Sequence, residues 1–179
     1  MAEIAGRSEA LTRHLELFKD HPAKRLDVLL TYAHEATLEE VKECVEAGVN
    51  PFDKTQIIVN DPLLSLGCAN REDLMSYLLN DSGKAKLTSP GNISIGITKA
   101  FEGCLFHQGK SSSADFLYKW MMARIDKPEG GHFKTWLDGQ AADGFPWVRD
   151  YLEKQGYPKP PQESSGKNGP AAPKIMPSP

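Results

Sequence analysis

Residues 37–48 read T-L-E-E-V-K-E-C-V-E-A-G, and residues 70–81 read N-R-E-D-L-M-S-Y-L-L-N-D. Thr37 falls on Asn70, Val41 on Leu74, Cys44 on Tyr77 and Val45 on Leu78, an offset of 33 residues each time. A fixed period of about that length marks a stacked helical-repeat chain. One such repeat cannot bury its apolar face alone and needs a neighbour on which to stack.

Around the first of these segments the punctuation is explicit. Thr37-x-x-Glu40 predicts a capping box at a helix start. Gly48 predicts its end, where the left-handed conformation is needed, and Pro51 blocks further helix. Residues 26–36 supply a preceding helix, with Asp27 standing as its cap, so 26–48 forms the first unit. Further back, residues 8–20 carry Leu11, Leu15 and Phe18 at helical spacing behind Ser8 as N-cap, and Pro22 closes that end helix.

Downstream, residues 49–60 read as turn or extended chain. Asn60-Asp61-Pro62 then opens a helix that carries Leu63, Leu64 and Leu66 and stops near Ala69, since Pro loses nothing at the first helical position. Asn70 stands as the cap of its partner, completing a second unit over 60–80. Residues 81–94 read as loop. A third unit spans 95–125, with Ser112 or Ser113 capping its second helix, and a fourth spans 133–156. Residues 158–179 hold seven of the 13 prolines among Gly, Ser and Lys. That composition cannot build a core, so the expectation is a helical-repeat domain over 1–157 and a disordered tail over 158–179.

These residues resemble an ankyrin repeat. Asp61-Pro62-Leu63-Leu64 sits where that family opens with Thr-Pro-Leu-His, and Leu64 stands in place of the His. Leu38-Glu39-Glu40-Val41-Lys42 and Glu46-Ala47-Gly48-Val49-Asn50-Pro51 match the second helix and its exit. The clearest match covers residues 27–80. The equivalent glycine shifts to Gly83 in the second unit and is missing after Met122. The resemblance implies an all-α, short ankyrin-like solenoid. It also implies that contacts with a partner protein come from the turns before each helix pair and from the short inner helices, here Asn50–Gln56 and Ser82–Asn92.

Composition narrows the remaining classes. The net charge is −3, and the tail carries Lys159, Lys167 and Lys174 against Glu163, which leaves the body at −5. An acidic body without a long Lys/Arg cluster argues against nucleic acid. No apolar run approaches the roughly 20 residues that cross a bilayer, so no membrane association is expected. The N-terminus has no apolar signal region. Cys44, Cys68 and Cys104 are widely spaced and form no CxxC, which suits reduced core residues. The expected setting is intracellular, in the cytoplasm or the nucleus.

Catalytic signatures fail one by one. His34-Glu35 starts a zinc motif whose last position is Leu38. Residues 138–149 lack a calcium loop's oxygen side chain at the fifth position, where Ala142 stands, and its Glu at the twelfth, where Arg149 stands. No phosphate-binding glycine loop and no nucleophile elbow occurs, so neither metal nor cofactor is expected. Cys104 with His107 is the one close thiol–imidazole pair. Phe133, Trp136, Phe145, Trp147, Tyr151 and Tyr157 crowd the C-terminal end, as core of a terminal cap or as a binding surface. Pro158-x-x-Pro161 and Pro170-x-x-Pro173 have the spacing that docks in aromatic-lined grooves.

The sequence therefore reads first as a protein-binding adaptor. Its expected binding residues are Phe52, Asp53, Lys54 and Gln56, with Phe52 as apolar anchor and the charges setting orientation. The alternative is an enzyme or small-molecule binder on a helical scaffold, built around Cys104/His107 or the Trp136–Trp147 region.

Overall fold

The structure, a computed structural model, describes residues 7–59, 61–108, 111–127 and 130–159. The described residues form nine α-helices and no strand: α1 (Glu9–Leu17), α2 (Pro22–Thr31), α3 (Leu38–Glu46), α4 (Pro62–Cys68), α5 (Glu72–Ser76), α6 (Pro90–Gln108), α7 (Ser112–Met122), α8 (Gly131–Asp143) and α9 (Pro146–Lys154). The chain is thus all-α, as expected. The tail reading falls outside the described residues, except that Pro158 and Lys159 are exposed.

Local chemistry explains most boundaries. Ser8 Oγ accepts the Leu11 N–H at 3.2 Å, which starts α1. Thr37 and Glu40 make the full capping box: Thr37 Oγ1 accepts from Glu40 N, and Glu40 Oε2 accepts from Thr37 N. Helix α3 ends in a left-handed Gly48 with φ of +104°. Val49 N–H reaches back to Cys44 C=O and Gly48 N–H to Val45 C=O, so two orphan carbonyls are satisfied.

Several expectations need correction. Pro22 does not merely follow α1; it opens α2, whose N-cap is His21. Asp27 therefore lies inside α2 and caps nothing. Its Oδ1 instead accepts the Ile58 and Val59 N–H groups at 2.8 and 3.0 Å, tying the segment before α4 onto α2. Asn60, expected before α4, lies outside the described residues. Asn70 does not cap α5, whose N-cap is Arg71. It adopts φ of +54° at the end of α4, and its Oδ1 accepts from Ser112 Oγ and Ser113 N, both at 3.2 Å. Asn70 thus caps α7, and the N-cap of α7 is Ser111 rather than Ser112 or Ser113. Residues 81–94 are not all loop: a 3-10 turn covers Ala85–Leu87, and α6 begins at Pro90 behind Ser89.

Packing follows a regular order through α7, after which α9 lies on α6. Within pairs, α2 meets α3, α4 meets α5, α6 meets α7 and α8 meets α9. Between pairs, the first helices touch in sequence (α2–α4, α4–α6, α6–α8), and so do the second helices (α3–α5, α5–α7). The echoing positions fill the same role: Val41, Cys44 and Val45 are buried, and so are Leu74, Tyr77 and Leu78. Each fully buried aliphatic side chain contributes roughly 1.5–3 kcal/mol of transfer free energy.

Helix α4 packs extensively on α6. A Cβ on Gly67 would lie 2.5 Å from Cys104 Sγ, and one on Gly103 would collide with Leu64 Cδ1. Gly67 and Gly103 therefore make room for the Cys104 and Leu64 side chains, which a larger residue would have to displace. Arg71 clamps the preceding pair: its Nη1 donates to the carbonyls of Ala33 and Ala36, while Asp73 holds the guanidinium by two bonds.

Candidate functional site

The turn after α3 builds itself from its own polar side chains. Asn50 Oδ1 accepts the Phe52 N–H at 3.1 Å, and Gln56 Oε1 accepts the Asn50 N–H at 2.9 Å. Asp53 Oδ1 accepts from Thr55 N and Thr55 Oγ1, and Asp53 Oδ2 from Gln56 Nε2 at 3.1 Å. The Thr55 hydroxyl and N–H hold the Asp53 carboxyl below its ordinary range. Asp53 and Gln56 thus hold the turn through their side-chain polar atoms. Lys54 projects exposed beside them, and Phe52 is half-buried against the core.

This turn forms one wall of a cleft of about 610 Å³. Pro62 and Leu63 of α4 contribute the floor, and residues 87–99 form the opposite wall. That wall brings Leu87 and Ile95, which are 75% and 55% exposed, beside the buried Ile93. Lys99 reaches across to Asp61 at 3.4 Å. Of the four expected binding residues, Phe52, Asp53 and Lys54 line the cleft, and Gln56 supports the turn from behind. The cleft also includes Thr88, Ser89 and Asn92, from the second turn expected to contact a partner.

Ile95 goes beyond what the turn readings supply, whereas Leu87 lies within the second expected turn, Ser82–Asn92. Ile95 carries a legible signal: Ile93, Ile97, Ala100, Phe101 and Cys104 make the buried stripe of α6, and Ile95 falls off it. Phe106 falls off the same stripe and is 59% exposed.

A shallower depression of about 470 Å³ lies between α2 and α4, lined by Leu30, His34, Leu64 and Cys68 among others. His34 Nε2 pairs with Glu35 Oε1 at 3.2 Å. Burial pushes the Cys68 thiol up, and pushes the Cys104 thiol up to about 12 with help from neighbouring Cys68. A nucleophilic cysteine needs the opposite shift. Cys104 is fully buried, whereas His107 is exposed against the Phe106 ring at 5.0 Å. The two do not form a common site. None of the three cysteines is in a disulfide. Among the described residues no group of three His, Cys, Asp or Glu is placed to hold a metal ion.

The C-terminal aromatic set divides. Phe133, Tyr151 and Tyr157 are buried, and Trp136 packs edge-on against Phe101 at 6.0 Å. Tyr151 donates to Asp115 at 2.6 Å and Tyr157 to Asp138 at 2.9 Å, which pins α9 and the residues just after it to α7 and α8. Phe145 and Trp147 instead stay partly in water. No helix among the described residues is long and apolar enough to cross a membrane. Comparison with family models, with curated proteins and with solved structures finds no match for this chain.

Proposed function

We propose that this chain is a protein-binding module whose helix pairs stack in the ankyrin manner and whose docking site is the cleft walled by Asn50–Thr55 and Leu87–Lys99. The observation that carries the reading is the convergence of two inter-pair connectors on one cleft that leaves Leu87 and Ile95 in water. Exposed aliphatic side chains around a half-buried aromatic, the residue type favoured as an anchor, suit the apolar core of an interface. The ordered contacts of first helix on first helix, and second on second, support the stacking. So do the positive-φ glycines after α3 and at Gly83. Three cysteines outside any disulfide support a reducing compartment, the cytoplasm or the nucleus.

In this reading Phe52 and Leu87 anchor the partner and Lys54 sets orientation. Asp53 and Gln56 act through the turn they hold. The test is affinity capture from source-cell lysate with mass spectrometry, using the unaltered chain, Phe52→Ala/Lys54→Glu and Leu87→Asp/Ile95→Asp. Folded variants are expected to release the partner that the unaltered chain retains. Variants that stay folded and keep every partner remove the cleft from the interface. Early melting of the Phe52 variant alone assigns that ring to packing.

The cleft's volume also favours a second reading, because sites of about 300–1,000 Å³ accommodate small molecules. A small-molecule fragment screen by NMR separates the two. Fragments that shift only cleft residues support a ligand site, and a blank screen with partner capture intact supports the adaptor.

A further inference from the structure

Away from the cleft, the end of α6 and the start of α9 carry a second apolar surface. Phe145 and Trp147 stack with centroids 4.9 Å apart and planes 11° from parallel. Phe106 leans on Trp147 at 5.0 Å. Phe106 is 59% and Phe145 44% exposed, so the three rings form a platform with one face in water. The position is fixed from beneath: α6 packs on α9, and Gln140 Oε1 accepts the Phe145 N–H at 3.1 Å.

We propose that the platform is the docking site of this chain's own proline-rich C-terminal segment, residues 160–179. Where the described chain stops supports this. Gly156 takes φ of +72° after α9, Tyr157 N–H returns to Leu152 C=O, and Gly156 N–H returns to Glu153 C=O. This closure turns the chain back on the helix it has just left. Tyr157 is then pinned through its hydroxyl to Asp138. Lys159 lies 3.6 Å from Glu153 in the last turn of α9.

The rings at the start of α9 lie within reach of the segment that leaves its end. Nine-residue α9 spans roughly 13 Å at about 1.5 Å per residue. Twenty residues in a polyproline conformation reach roughly 60 Å at about 3.1 Å per residue. The segment contains six prolines, including Pro170-x-x-Pro173. Proline rings are apolar, have no N–H to satisfy, and dock in aromatic-lined grooves with little ordering loss. Tethering raises the local concentration to about the millimolar range, so weak ring stacking is enough. The consequence is a built-in competitor: a foreign proline-rich segment reaches these rings only by displacing this one.

The three tryptophans make the test internal. Indole N–H signals are recorded for the full-length chain and for a full-length variant with Pro170→Ser, Pro173→Ser and Pro177→Ser, and Trp147→Phe assigns the Trp147 signal. The expected result is movement of the Trp147 indole and the Phe145 amide in the variant, with the Trp120 and Trp136 indoles unmoved. A synthetic peptide of residues 160–179 added to the variant is expected to reverse that movement. Identical Trp147 and Phe145 signals in both proteins would overturn the proposal. So would equal movement of all three indoles, which signals a general change. A difference that vanishes on dilution would overturn it as well, because the occupant is then a second copy's segment.

Discussion

Helix α3 is regular from its cap to its end, whereas its counterpart α5 widens after five residues into a π-helical turn over Tyr77–Asp81. The two segments align at an offset of 33 residues at their apolar positions, but their left-handed glycines, Gly48 and Gly83, stand 35 apart. The additional length is accommodated where Ser82 N–H skips one carbonyl and bonds to Tyr77 C=O at 2.8 Å. Wide turns of this kind absorb inserted residues inside helices. Leu74 and Leu78 thereby keep the buried positions of Val41 and Val45 although the helix has lost its regular pitch. Burial is the property held constant between the two segments, and hydrogen-bond geometry is what yields.

The comparison breaks most visibly at Leu78. Leu78→Asp places an unpaired charge at a fully buried position and is expected to destabilise by about 4 kcal/mol or more. Val45→Asp is expected to match it. Urea unfolding that leaves either protein near its unaltered midpoint separates the two segments.

Arg71 has no equivalent in the first segment, where Leu38 occupies the aligned position. Arg71→Ala frees the Ala33 and Ala36 carbonyls and is expected to lower stability by about 2–3 kcal/mol. Leu38→Ala removes only a half-buried aliphatic side chain. A smaller loss for Arg71→Ala than for Leu38→Ala in the same unfolding assay contradicts the clamp.

Caps give the finer contrast. Asn70→Ala loses the bond to α7 and places alanine at positive φ, with an expected loss of about 1–2 kcal/mol. Asn70→Gly removes the strain but not the lost bond, and is expected to fall between Asn70→Ala and the unaltered chain. Thr37→Ala is expected to lose about 1 kcal/mol through its own helix. Hydrogen exchange distinguishes them: Asn70→Ala should loosen the amides at the start of α7, and Thr37→Ala those at the start of α3.

The smallest effect is a dependence on pH. Burial opposes ionisation of Glu40, but hydrogen bonds from Arg7, Thr37 N–H and the Thr37 hydroxyl outweigh it, so its carboxyl sits below the usual range. A depressed acid contributes stability that is present above its unfolded value, about 4.3, and is lost as pH falls through the folded one. The gap between unaltered chain and Glu40→Gln should therefore close on acidification in melting curves. A gap that widens toward low pH would contradict the capping-box assignment.

Legibility follows the range of the interactions. Thr37, Glu40 and Gly48 are legible because each acts on backbone within a few residues. Asn70 is not, because its role depends on a left-handed backbone and on Ser112 and Ser113, more than 40 residues away. Ser89-Pro90 is a helix opening in plain sight, masked by the Gly, Asn and Ser around it. For the cleft, the self-contained turn Asn50–Gln56 is readable and its apolar opposite wall is only partly so. Ile95 departs from the helical stripe of α6, whereas Leu87 is legible as part of the turn Ser82–Asn92 but not as an apolar side chain left in water. Phe145 and Trp147 are visible as members of an aromatic cluster, but their separation from the buried rings depends on how α9 lies on α6.

Asn70 and Arg71 are consecutive in the chain, yet one holds an N–H and a hydroxyl of the following pair and the other holds carbonyls of the preceding pair. This couples three helix pairs through two neighbouring side chains. The start of α7 completes its hydrogen bonds only once the α4–α5 corner has formed, and that same corner fixes the exit of α2. Fraying from the N-terminal end therefore stops at this corner or passes through it all at once, so the chain should melt in one cooperative step and not pair by pair.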